Sequence, residues 1–198
     1  MAYAIGAVAT LAWLYVLHAL ARADLRFWRF LVGSVGLFVL LMVFVRPWAT
    51  QPLAQVVAAV SGVFGSLTGT FESFFRYGVL FVDSAQGAIT LKIDFECSGI
   101  VEIMAFLSLL AFFQVYNRPE RVLVGIGGTL FILLANALRI ILICEVIHFA
   151  GPDAYYVAHS LLGRLVFYAL TVWLYFYVFT KPQVVRMRVG RFTYERGE

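Results

Sequence analysis

Charge is what this chain has least of. Only 13% of its 198 residues are Asp, Glu, Lys or Arg, about half the share of an ordinary soluble domain. With 63% apolar residues and a mean hydropathy of +0.91, too little polar surface remains to clothe a soluble core, which excludes that class. Cysteine is nearly missing, and Cys97 and Cys144 alone exclude a multi-disulfide framework. The histidines His18, His148 and His159 share no ligand spacing with a common partner, so no metal and no cofactor is expected. There is no internal repeat, linker or low-complexity run. Residues 1–180 are therefore read as one multi-span membrane domain, followed by a basic cytoplasmic tail over 181–198.

What the chain does have is long apolar segments. A spanning helix needs about 17–25 mostly apolar residues, and residues 3–20, 28–45, 98–116, 122–147 and 160–180 meet that length. The expected fold class is an all-α integral membrane protein with about five transmembrane helices. A sixth stretch, 52–70, is interrupted by Gln55, Ser61, Gly62, Gly65, Ser66, Thr68 and Gly69 and is expected to be re-entrant or interfacial. Ala19, Ala21 and Ala23 resemble a signal cleavage site. No basic residue precedes the first apolar run, however, and three arginines follow it, so it is read as a retained helix.

Lys and Arg are preferentially held on the cytoplasmic side, and this orients the array. Arg22, Arg26 and Arg29 follow the first span, Arg118 and Arg121 lie between the third and fourth, and Lys181, Arg186, Arg188, Arg191 and Arg196 lie in the tail. Segments 46–97 and 148–159 are poor in basic residues and face outward, as does the N-terminus. The expected location is the cell membrane, multi-pass, with the C-terminus cytoplasmic. Inner loops beside anionic lipid account for the net charge of +4, so the lipid bilayer is an expected partner and nucleic acid is not. Within the outer segment, Val79 to Val82 and Ala88 to Phe95 are strand-like around the turn formers Asp83, Ser84, Gln86 and Gly87, which predicts a β-hairpin.

On this topology Cys97, Arg139 and His159 all lie near the ends of apolar segments, and all three ends face outward. Cys97 opens the third span, where a helix N-terminus would lower a thiol pKa, and the following Ser98 and Gly99 leave room for an extended substrate. Arg139 is a costly charge within a span, and Asn136 shares its helix face. The plainer reading of Arg139 is an ion pair with Glu102 or, on a different face, Glu145. His159 is placed to take the Cys97 proton, with Gly163 one turn on allowing close helix approach. His148 lies at the same outer boundary and competes for that role.

Glu96-Cys97-Ser98-Gly99-Ile100, Asn136-Ala137-Leu138-Arg139-Ile140 and His159-Ser160-Leu161-Leu162-Gly163 occur in this order, each on an apolar segment. Together they resemble the three signature motifs of exosortases and archaeosortases, over about residues 90 to 180. The resemblance implies a membrane cysteine transpeptidase with Cys97 as nucleophile and Arg139 and His159 completing an extracytoplasmic site. It also implies, as partners, membrane-anchored exported proteins bearing a C-terminal sorting signal. Beside many members the chain reads as a short form, expected to lack several of their N-terminal spans and any added soluble domain. Other classes use the same residues differently: a scaffold closed by a Cys97–Cys144 disulfide, a small transporter lined by Asn136, Arg139 and Glu102, or a membrane partner subunit.

Overall fold

In the computed structural model, which describes residues 2–184, the chain is helical apart from one small sheet. The tail arginines Arg186, Arg188, Arg191 and Arg196 lie outside the described residues. Helix α1 (Ala2–Arg22) turns back through Asp24 into α2 (Arg26–Phe44), and Val45 separates α2 from α3 (Arg46–Thr68). Helix α4 runs over Ile100–Phe112 and α5 over Arg118–Ala150, and a last helix follows over Pro152–Val184. Three described helices are long and apolar enough to cross a membrane: α2, α5 and the last one.

Two expectations change in detail. The stretch expected to be re-entrant or interfacial belongs to α3, an uninterrupted 23-residue helix that runs through Pro52 and ends at Gly69, whose φ of 71° provides a left-handed cap. The span expected over 98–116 is a shorter helix of 13 residues, with a rise of about 20 Å against a hydrocarbon core of about 30 Å. Its N-terminus is displaced because Gly99 (φ 75°) ends the preceding turn and only Ile100 begins the helix.

The predicted hairpin is present as two strands of a three-stranded antiparallel sheet in the order β1-β2-β3. Strand β1 is Phe71–Phe74, β2 is Val79–Ser84 and β3 is Gly87–Lys92. Leu80 pairs with Leu91 and Val82 with Ile89, so alternate side chains face one way. That face carries Leu80 and Val82 into a buried cluster with Ile140, Ile143 and Ile147 of α5 and Ala54, Val57 and Ala58 of α3. Strand β1 lies against α3 where glycines permit it: a Cβ on Gly65 would come within 2.4 Å of the Phe71 carbonyl oxygen.

Helix α5 is the axis of the molecule. Asn117 and Glu120 form a capping box at its start, and Gly151 (φ 87°) ends it where a Cβ would collide with Gln86. Its 33 residues exceed the roughly 20 needed to span a bilayer, which leaves an end to carry the sheet. Toward its beginning, Phe106 of α4 lies across Gly128 and joins Ile132, Phe167 and Leu174 in a second apolar cluster.

Candidate active site

The chain leaves β3 through Asp94-Phe95-Glu96-Cys97-Ser98-Gly99 before entering α4. Local hydrogen bonds fix this turn. Asp94 Oδ1 accepts from the backbone N–H of Glu96 (3.1 Å) and of Cys97 (3.2 Å), an Asx-turn arrangement. Ser98 is fully buried; its Oγ donates to the Phe95 carbonyl at 3.0 Å and accepts from the Ile100 N–H at 3.4 Å. The Arg46 guanidinium sits 4.1 Å from the centroid of the Phe95 ring. Gly99 supplies the left-handed residue that redirects the chain into α4, with Asn136 against it.

Helix α5 holds the turn from beneath. Asn136 is fully buried and its Nδ2 donates to the Cys97 carbonyl at 2.5 Å. Sequence spacing put Asn136 on the helix face of Arg139; in the structure its amide binds the backbone of the cysteine. Arg139 is 4% exposed. Its Nη1 approaches the Glu96 carbonyl at 3.5 Å, its Cζ lies 5.7 Å from the Phe167 ring centroid, and its Nε is buried without a hydrogen-bond partner. The ion pairs considered for it are not formed. Glu145 accepts from Thr70 at 2.6 Å, Glu102 Oε2 has no hydrogen-bond partner, and the one ion pair among the described residues is Arg26–Asp24.

His159 enters from the last helix, in a π-helical turn over Ala158–Leu162. Such a turn holds one residue more than an α-turn and re-aims its side chains. His159 Nε2 lies 3.3 Å from Cys97 Sγ. Tyr155, one turn earlier, stacks on the imidazole with ring centroids 5.4 Å apart and planes 22° apart. Gly163 makes the approach possible, since a Cβ there would lie 3.0 Å from Ile143 Cδ1 and 3.2 Å from Arg139 Cγ. The competing His148 is held elsewhere, its Nδ1 donating to the Asp83 carbonyl at 2.5 Å. Cys97 and Cys144 are both buried free thiols.

The Cys97 thiol pKa departs from the sequence expectation. Burial pushes it up to about 11, against a smaller downward pull from the Arg139 charge. The helix end expected to lower it begins three residues later, at Ile100, and desolvation of the sulfur outweighs what remains. The sulfur therefore rests as a thiol at neutral pH, and a neighbouring base is the route to a nucleophile. A cavity of about 320 Å³ opens onto it, lined by β3, Asp94, Glu96, Ile140, Ile143, Tyr155 and His159.

Sequence reasoning missed Asp94 and Tyr155. Both had a local signal: an Asp three residues before Cys97 is an Asx-turn spacing, and Tyr155 stands four residues before His159 on one helix face. A family model described as transmembrane exosortase (Exosortase_EpsH) matches residues 1–177. No curated protein and no solved structure matches the chain.

Proposed function

The chain belongs to the transmembrane exosortase family, whose model covers residues 1–177, and on that premise we propose that it is a membrane-embedded cysteine transpeptidase. It acts on the extracytoplasmic face, cleaving C-terminal sorting signals of membrane-anchored exported proteins. One observation carries the reading: Cys97 Sγ and His159 Nε2 stand 3.3 Å apart beside a buried Arg139 whose Nε is unengaged.

In the proposed reaction, His159 takes the thiol proton as the sulfur attacks the scissile carbonyl carbon, so the S–C bond forms without a standing thiolate. Negative charge moves to the carbonyl oxygen, where the Arg139 guanidinium stabilises it. Collapse breaks the C–N bond, and His159 returns its proton to the departing amine, leaving a thioester on Cys97. An acceptor amine or water then adds to that thioester through the same base, and the sulfur leaves and recovers its proton. Asn136 is a positioning residue, holding the Cys97 carbonyl while the turn bears the reacting sulfur. The orientation follows from the basic inner segments: N-terminus outside, C-terminus in the cytoplasm, and the sheet with Cys97 outside.

The test is the Cys97→Ala variant in cells that process an anchored substrate. The variant is expected to insert normally and to leave every substrate molecule uncleaved. Processing at the parental rate by Cys97→Ala would overturn the reading.

A further inference from the structure

The two edges of the sheet differ. In β1 the outward backbone groups belong to Phe71 and Ser73, and α3 covers them: the Phe71 carbonyl lies against Gly65, and the Ser73 side chain donates to the Ala58 carbonyl at 2.7 Å. Strand β3 is approached by the short turn over Pro152–Ala154 but makes no hydrogen bond to it among the described residues. Ile93 N–H bonds to the Gly78 carbonyl at 2.8 Å, so by alternation Leu91 and Ile89 also spend their backbone groups on β2. The N–H and C=O of Thr90 and Lys92 point the other way. They have no hydrogen-bond partner among the described residues, and both residues are exposed.

An uncovered strand edge is a hazard that proteins generally block. Here it forms one wall of the 320 Å³ cavity that holds Cys97, with Tyr155 and His159 opposite. That volume is at the low end of the roughly 300–1,000 Å³ typical of ligand sites, enough for a few extended residues and not for a folded partner. We propose that β3 is the substrate's docking strand: the residues on the N-terminal side of the scissile bond add to the sheet as a fourth strand, bonded to the Thr90 and Lys92 backbone. This rests on the transpeptidase reading and supplies its mode of substrate recognition.

Direction follows from the chain's own course. From Thr90 and Lys92 the protein backbone runs on to Cys97, and the substrate's membrane anchor lies on the C-terminal side of the bond cut. The substrate therefore runs parallel to β3, with its scissile carbonyl at the Cys97 end. Every second N–H of the bound segment faces β3. Main-chain pairing sets the geometry for any sequence that can extend.

The experiment uses the full-length protein in vesicles and two probes that alkylate Cys97, acetyl-tetra-alanyl and acetyl-mono-alanyl chloromethyl ketone. The longer probe is expected to label Cys97 about tenfold faster, the equivalent of two net hydrogen bonds of about 0.7 kcal/mol each. N-methylation of the tetrapeptide should remove the advantage at alternate residues only. Thr90→Pro deletes an outward N–H that β2 does not use, a change edge strands tolerate. It should cut the longer probe's advantage from about tenfold to about threefold, the loss of one such bond, while iodoacetamide labelling of Cys97 stays unchanged. Equal labelling by the two probes in the parental protein, or an N-methyl effect without a period of two, would overturn the docking strand. That result beside a Cys97→Ala variant that cannot process substrate would leave the transpeptidase reading standing, whereas full processing by Cys97→Ala removes both.

Discussion

From Asn136 onward α5 buries an amide and a guanidinium against the backbone of the 94–99 turn, whereas from Gly128 to Ile132 it meets the apolar Phe106, Phe167 and Leu174. The two halves of one helix are held by different forces. In a bilayer an apolar helix face gains little by leaving lipid, so the first half depends on close van der Waals contact, and Gly128 is there because a Cβ would lie 2.2 Å from the Phe106 ring. The second half carries a sheet with an exposed face and buries polar atoms that cost free energy unless paired. Two of them stay unpaired, Arg139 Nε and Asn136 Oδ1. Arg121 Nε, in the first half, is likewise unpaired, so what separates the halves is position: the unpaired atoms of the second half lie against the Cys97 turn, which the proposed reaction uses, while the first half holds the helices together.

The comparison is broken most severely at the base. His159→Ala should reduce substrate processing by about 10² to 10⁴, the usual contribution of a general acid-base, because the imidazole is the group 3.3 Å from the sulfur. His148→Ala should stay within a few-fold, since it removes only a hydrogen bond to Asp83. Measuring both in the same vesicles gives a ratio, and a larger loss in His148→Ala would reverse the assignment. Arg139→Met comes next. It keeps an apolar stem beside Phe167 and removes the charge, so a loss of about 10² to 10³ in kcat is expected. If Arg139→Lys recovers most of that, a point charge suffices and the planar guanidinium is not required.

Gly128→Val tests the other half. Its side chain would be driven into Phe106, an overpacking worth about 1–3 kcal/mol of stability. The expected signature is a lower unfolding temperature in detergent with kcat for the folded fraction near the parental value. A kcat loss as large as that of Arg139→Met would mean that the two halves do not divide as described.

Much of the site was legible because its residues announce themselves locally. Cys97 and His159 stand near apolar segment ends and Arg139 is a charge inside one, and the expected topology put all three on one face before any coordinates. Less legible was whatever depends on two segments meeting. Strand β1 reads Phe-Glu-Ser-Phe, with no alternation to betray it, and becomes a strand only because β2 is there to pair with. The π-turn that aims His159 has no signature in Ala-His-Ser-Leu-Leu. The free thiol was misjudged for a related reason. A helix dipole can be read from sequence, but the desolvation that exceeds it comes from burial of Cys97 in the apolar cluster that also holds Ile93, Ile140 and Ile143, and burial of that kind is a tertiary quantity.

That last contrast gives the mildest and cleanest measurement. With the Cys97 thiol pushed up to about 11, labelling by iodoacetamide should rise about tenfold for each pH unit from 7 to 10, following the thiolate fraction. A thiolate held by a preformed ion pair would instead label at a constant rate across that range. Arg139 pulls the thiol pKa down, so Arg139→Met should raise it and slow labelling at any one pH, by less than the buried setting itself costs. Faster labelling in Arg139→Met would show that the arginine shields the sulfur sterically more than it polarises it. A plateau near neutral pH would restore the lowered thiol pKa that sequence reasoning expected and remove the need for His159 as the base in the first step. A steady rise, together with slower labelling in Arg139→Met, leaves proton transfer to His159 as the step that makes Cys97 reactive beside α5.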